Sequence, residues 1–360
     1  MKTTKIITSL LLTAICGLLF TSCNSKDETS STTEVSTGVF VLNQGKYSSN
    51  NASLTYYDFA TSFASADLFL DKNNRGLGDT GQDMIKYGSK IYIAIYKSSL
   101  IEIINAKTGI SIKSLPMKND AGTSSSPRSL TSANGKVYIV LYDGHVAQLD
   151  TVSLAVEKTI AVGTNPDASV ITNNKLYVAN TGGMAAVMDS TVSVINLSTF
   201  TETKKIKINL NPGTIKADNY GDVYVVSKGN YGSIPGKFQR IDAGTDKVTD
   251  IAVAVKNFDI VGDNAYISNF EYDANWQAAN KTIAIYDVKN EKLVSANIIT
   301  TDIIKIPYCI NVDPISKNIY LGVSDYVNNG KMYCFGQDGA FKFSFITGLN
   351  PTKIVFISTK

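Results

Sequence analysis

Between residues 165 and 196 the chain reads Asn165-Pro166-Asp167-Ala168-Ser169-Val170, then Asn173-Asn174-Lys175, then Leu176-Tyr177-Val178-Ala179-Asn180, and finally Val192-Ser193-Val194-Ile195-Asn196. Three short runs of β-branched, aliphatic and aromatic residues are separated by Asn, Pro and Gly, the residues that supply turn dihedrals. Runs of this length with such punctuation predict strands, not helix. The middle run is a phrase: an aliphatic residue, an aromatic, then small or β-branched residues. It recurs as Val39-Phe40-Val41, Ile91-Tyr92-Ile93, Val137-Tyr138-Ile139, Val223-Tyr224-Val225, Ala265-Tyr266-Ile267 and Ile319-Tyr320-Leu321. A spacing of about 40–55 residues is the period of four-stranded propeller blades.

Each phrase is the second strand of the same unit. An approach loop leads to a first strand, as in Pro127-Arg128-Ser129-Leu130 and Asn211-Pro212-Gly213-Thr214-Ile215. A third strand closes on Asp or Asn, as in Phe238-Gln239-Arg240-Ile241-Asp242 and Ile283-Ala284-Ile285-Tyr286-Asp287, and a fourth follows, as from Lys204 to Ile208. The phrase at Val39 has no first strand before it, whereas Pro351-Thr352-Lys353-Ile354-Val355-Phe356-Ile357 is a first strand with nothing after it. The C-terminal strand therefore completes blade one and leaves no ring end unpaired. The expectation is an all-β, seven-bladed β-propeller of four-stranded antiparallel blades, one domain over residues 38–360.

Composition narrows the function. The 360 residues hold 34 Lys and Arg against 31 Asp and Glu, with a single histidine. A formal charge of +3 provides no basic stripe for nucleic acid. One histidine excludes a two-His metal site and the HExxH motif. That residue, His145, sits in the turn Tyr142-Asp143-Gly144-His145, and neither a nucleophile elbow, a P-loop nor a GxGxxG before a helix occurs. The chain is therefore expected to bind rather than catalyse, with no metal and no resident cofactor.

The N-terminus reads as an export signal. Lys2 and Lys5 precede an apolar run from Ile6 to Phe20, about 15 residues, which is short for a membrane span. It ends Phe20-Thr21-Ser22-Cys23, which resembles a bacterial lipobox. Residues 1–22 are expected to be removed and Cys23 to take the lipid. Removal takes two positive charges and no negative one from the chain. Residues 23–37 are polar and are expected to form a flexible tether. Within it, Lys26-Asp27-Glu28 resembles the surface-export signal of Bacteroidetes lipoproteins, which implies an outer-membrane, cell-surface location.

The phrase Leu176-Tyr177-Val178-Ala179-Asn180 resembles the YVTN-type repeats of YncE-like propellers. A further resemblance is to Bacteroidetes surface lipoproteins of the DUF5074 group, which include the BtuG cobalamin-capture proteins. It is carried by Gly38-Val39-Phe40-Val41-Leu42-Asn43-Gln44-Gly45-Lys46-Tyr47, Asn51-Ala52-Ser53-Leu54-Thr55-Tyr56-Tyr57-Asp58, Leu77-Gly78-Asp79 ahead of Gln82, and Asn311-Val312-Asp313-Pro314. The resemblance implies capture of cobalamin or another corrinoid and its transfer to a TonB-dependent outer-membrane transporter. A propeller lactonase, lyase or quinoprotein, and a structural or adhesive surface-layer protein, are the alternatives.

In a four-stranded blade, loops between strands two and three share a face with the loops that join blades. The long insertions are of this kind: Gln44 to Asn51, Thr181 to Thr191, Lys228 to Lys237, Phe270 to Lys281 and Asp325 to Lys331. They carry Tyr47, Asn51, Tyr231, Tyr272, Trp276 and Tyr326, with Asn180 at a loop edge. Tyrosine and tryptophan give wide contact area with a polar tip, and Asn gives paired donors and acceptors. This suits a large ligand with a flat ring and amide arms, a corrinoid or a glycan. The blade-joining loops are expected to add Asn73, Arg75, Asp79, Gln82, Arg128, Asp167 and Tyr308 to that face. For Arg128 a blade-to-blade bond is the competing role. Cys309 and Cys334 fall on the first and third strands of one blade, too far apart for a disulfide, and are expected to be free and buried.

Overall fold

In the computed structural model, which describes residues 34–183, 187–274, 278–300 and 303–359, seven four-stranded antiparallel sheets form a ring. Blade one runs from its inner strand Pro351–Thr359 outward through Val35–Asn43, Ser53–Asp58 and Phe63–Ser65. The inner strands of blades two to seven are Gly81–Tyr87, Pro127–Ala133, Pro166–Thr172, Pro212–Ala217, Asn257–Val261 and Pro307–Val312. Each inner strand lies against the next, and Pro307–Val312 lies against Pro351–Thr359, which closes the ring. The C-terminal strand pairs with Val35–Asn43 over eight positions. The ring begins at Val35, and Ser36 and Thr37 already bond to Asp313 and to the Ile357 carbonyl.

The repeated phrase is apolar throughout because its strand is covered on both faces. Successive side chains of a strand point to opposite sides. In blade two, Ile91 and Ile93 pack with Phe40, Leu42 and Leu54 of blade one, while Tyr92 and Ala94 pack with Val137 and Ile139 of blade three. The aromatic of every phrase faces the following blade. Tyr138, Tyr177, Tyr224 and Tyr266 do so in turn, and Tyr320 meets Val39, Val41 and Tyr57 of blade one. All six tyrosines at these positions are almost wholly buried. The core is thus seven interblade seams rather than one centre.

Three details differ from expectation. The helix Leu68–Asn73 forms in the connection from blade one to blade two, capped by the Asp67 carboxylate, which accepts from the Leu70 N–H. This helix carries Asn73 and Arg75 away from the loop-bearing face. Asn73 bonds to the Gly109 carbonyl and the Ser111 N–H, at the opposite end of blade two, and Arg75 pairs with buried Glu102. The segment from Phe270 to Lys281 is largely an extension of two strands, Asn264–Tyr272 and Ala278–Asp287, so Phe270 and Tyr272 are strand residues.

Cys309 and Cys334 are free and buried, on strands separated by Ile319–Val323. Burial pushes the Cys309 thiol up to about 12 and the Cys334 thiol up to about 11. Thiolate is the reactive form. A colorimetric thiol titration at pH 8 should therefore find both unreactive in the folded protein and both reactive in denaturant. Rapid labelling of either one in the folded state would contradict this packing.

Candidate ligand site at the channel mouth

The inner strands share an irregularity that builds the site. In five blades the residue after the strand's first position is skipped in pairing: Gln82, Arg128, Asp167, Tyr308 and Thr352. In blade five the shift falls between Pro212 and Ile215, which places Gly213 there. A β-bulge bends its strand and re-aims the extra side chain. The repetition, absent only from blade six, turns one residue in each of six blades toward the mouth of the central channel. A second set sits four residues after each phrase's aromatic, at the start of the loop-bearing face: Gln44, Tyr96, Tyr142, Thr181, Lys228, Phe270 and Ser324.

The two sets engage each other. The Arg128 guanidinium lies 4.9 Å from the Tyr96 ring centre and 5.1 Å from that of Tyr142, against two rings that themselves meet edge to face. Its Nε donates to Asp167 Oδ1 at 2.7 Å and its Nη2 pairs with the same oxygen. Its Nη1 reaches Gln82 Oε1 at 3.4 Å. Lys228 Nζ stands 3.6 Å from Asp167 Oδ2. Burial disfavours the Asp167 carboxylate, but Arg128 and Lys228 outweigh it and hold its pKa below the ordinary value. Across the mouth the Tyr308 hydroxyl donates to Gln44 Oε1, and burial raises its pKa to about 12.

Below the mouth, two aspartates brace the ring. Asp83 accepts from Lys353 Nζ at 3.0 Å and from the Leu130 N–H at 2.8 Å, joining blades one, two and three. Asp259 accepts from Lys216 Nζ at 2.9 Å and from the Val312 N–H at 3.0 Å, joining blades five, six and seven. Burial opposes the Lys353 ammonium, yet Asp83 raises its pKa above the usual lysine value. The cavity along these strands holds about 330 Å³.

Tyr47, Tyr231, Tyr272 and Tyr326 stand around this mouth on loops or strand ends of four blades, between 41% and 69% exposed. Lys97 lies over the Tyr47 ring at 4.7 Å, and Asn211 donates to the Tyr231 hydroxyl at 3.3 Å. The hydroxyls of Tyr272 and Tyr326 are 3.1 Å apart, and Tyr326 meets Tyr308 edge to face at 5.8 Å.

The structure thus brings Gln82, Arg128 and Asp167 into one group and Tyr308, Tyr326 and Tyr272 into a second. Asn51 and Asp79 serve loop structure, Asn51 accepting from the Lys46 N–H of its own loop and Asp79 tying the blade-joining loop to the Ser48 N–H of that same loop. Asn180 is wholly buried, donating to Thr191 and Ser193 and accepting from the Gly163 N–H, so no ligand reaches it. Arg75 lies off the face, as described above. Trp276 and Cys23 lie outside the described residues. Sequence reasoning missed Tyr96, Tyr142 and Lys228. Their fixed offset from the repeated aromatic is the signal that finds them.

Fold and mouth together define a seven-bladed β-propeller with a charged channel among its inner strands and exposed tyrosines on its loop-bearing face. Among solved structures it is similar to a quinoprotein alcohol dehydrogenase-like protein from Bacteroides thetaiotaomicron, at 17% identity and a TM-score of 0.63 over 90% of this chain and 79% of that one. It is also similar to a protein of Bacteroides fragilis provisionally described as a 6-phosphogluconolactonase, at 14% identity and a TM-score of 0.63 over 92% and 100%. A dihydro-haem d1 dehydrogenase matches at 13% identity and a TM-score of 0.55 over 88% and 68%. The sequence matches no protein-family model, that of the DUF5074 group included, and no curated protein. These likenesses establish the propeller fold. They also overturn the expectation of a chain set apart from enzymes. Propellers described as dehydrogenases and as a lactonase share this architecture, so a lone histidine does not argue against catalysis here.

Proposed function

We propose that this propeller captures a large, flat, polar-armed ligand on its loop-bearing face, cobalamin or another corrinoid first, as an outer-membrane surface lipoprotein that passes the ligand to a TonB-dependent transporter. The observation that carries the reading is the set of exposed tyrosines from four blades around one mouth. Tyrosine faces pack a flat ring at low entropic cost, and their hydroxyls meet amides. The corrinoid class is what the resemblance of residues 38–58 to the DUF5074 group implies. Glu34, where the described chain begins, leads into Val35–Asn43 at the end of blade one opposite the loops.

Equilibrium dialysis of the protein against cyanocobalamin should show one site with a Kd of about 1 µM or tighter. The paired substitution Tyr272→Ala and Tyr326→Ala should weaken it by about tenfold or more. No binding at about 100 µM ligand would sink the corrinoid reading.

A further inference from the structure

We propose that the channel mouth holds an oxyanion group of the ligand, a phosphate ester or a carboxylate, between Arg128 and Lys228 beside Gly213. The inference rests on the loop-bearing face being the ligand face and names the chemistry that face selects. Charge is the first ground. Deeper in the channel each lysine has its own aspartate, Lys353 with Asp83 and Lys216 with Asp259. At the mouth two cations share one carboxylate, Asp167. The mouth therefore keeps one positive charge in a concave, low-dielectric setting, where a field is focused rather than screened.

Donor geometry is the second ground. Asp167 occupies the Nε and Nη2 edge of Arg128, while Nη1 has only the 3.4 Å contact to Gln82. The rings of Tyr96 and Tyr142 fix the guanidinium plane, so this edge is presented without further ordering. Lys228 is 44% exposed, and its ammonium lies beyond ordinary hydrogen-bond length from Asp167. With one N–H turned toward Asp167, its other donors are available to an incoming oxygen.

Space is the third ground. Blade five alone places a glycine at the bulge position. A Cβ on Gly213 would stand 3.0 Å from Lys228 Cε, 3.2 Å from Lys228 Nζ and 3.8 Å from Asp167 Oδ2. The missing side chain is what lets the Lys228 chain lie against this strand and set its ammonium beside Asp167.

Calorimetric titration of the full chain at low ionic strength tests this, with sodium phosphate, sodium acetate, and sodium chloride at matched ionic strength. Phosphate or acetate should bind at one site and chloride should not, and the tighter of the two names the group. Lys228→Ala, and Gly213→Leu, which displaces the Lys228 chain without changing charge, should each weaken binding by about tenfold or more. Lys158→Ala, an equal charge loss on the exposed outer strand of blade three, should leave it unchanged. Equal binding by Lys228→Ala, or no heat beyond chloride at about 50 mM, would overturn the site. If cyanocobalamin binds but Lys228→Ala and added phosphate leave its affinity untouched, this inference falls and the corrinoid reading stands. If phosphate binds as described and cyanocobalamin does not bind, the oxyanion site stands and the corrinoid reading falls.

Discussion

A chain ending at Asn350 should not fold. The lost strand Pro351–Thr359 supplies eight paired positions to Val35–Asn43, the Lys353 partner of Asp83, and the Tyr320 contact of Phe356 at 5.2 Å. Ile354 and Val355 are buried, and Val39, Val41 and Leu42 are covered in part by this strand. Burying an aliphatic or aromatic side chain of this size stabilises by about 1.5–3 kcal/mol. Losing several at once is comparable with the whole stability of a domain, about 5–15 kcal/mol. The edge of Val35–Asn43 is also left unpaired, which invites aggregation. Circular dichroism of the truncated chain should show no cooperative melt. A sharp thermal transition near that of the full chain would show that six complete blades close without the seventh inner strand.

Arg128→Ala should cost about 2 kcal/mol near pH 7, and the deficit should shrink in acid. Removing one partner of a buried ion pair costs about 3–5 kcal/mol. The figure is reduced here because the Arg128 side chain is 20% exposed and Lys228 remains near the carboxylate. The pH dependence follows from the direction of the Asp167 shift. Its pKa is lowered in the folded protein, so its ion cluster contributes stability above the unfolded value of about 3.9 and loses that contribution as pH falls through the folded value. In the variant, burial acts on Asp167 with only Lys228 to oppose it, and protonation relieves the penalty. Thermal melts of both proteins at pH 7 and near pH 3, below the unfolded value, should converge toward acid. A deficit that stays constant with pH would assign the loss to the Tyr96 and Tyr142 packing instead of to Asp167.

The bracing aspartates explain how a ring with a polar channel stays shut. Asp83 and Asp259 each take one lysine from the blade before and one backbone N–H from the blade after. Ser129 does the same between blades three and four, accepting from the Ser169 N–H at 3.2 Å. Inner strands have one edge without a sheet partner, and these side chains satisfy part of it. The channel polarity that invites a ligand therefore also holds the blades together, and only the mouth cluster has charge to spare.

By itself the sequence determined the strands, the blade count, the closing role of Pro351–Thr359 and the face that bears the long loops. These follow from local facts: period-two burial, turn residues, and a phrase repeated often enough to be counted. The tertiary structure alone decided which side chains meet at the mouth. Gln44 and Tyr308 are 264 positions apart, and Arg128 meets Tyr96, Tyr142 and Asp167 only because consecutive blades are rotated about one axis. It also decided that Asn180 is buried structure and that a short helix diverts Asn73 and Arg75. The physical reason is that local pattern specifies which face a residue takes, whereas the bulge that turns Arg128 or Tyr308 inward depends on pairing with the neighbouring strand. Such a skip leaves no mark in composition. Its position beside the repeated Pro, and the fixed offset of Tyr96, Tyr142 and Lys228 from each aromatic, are the traces that the ring makes readable.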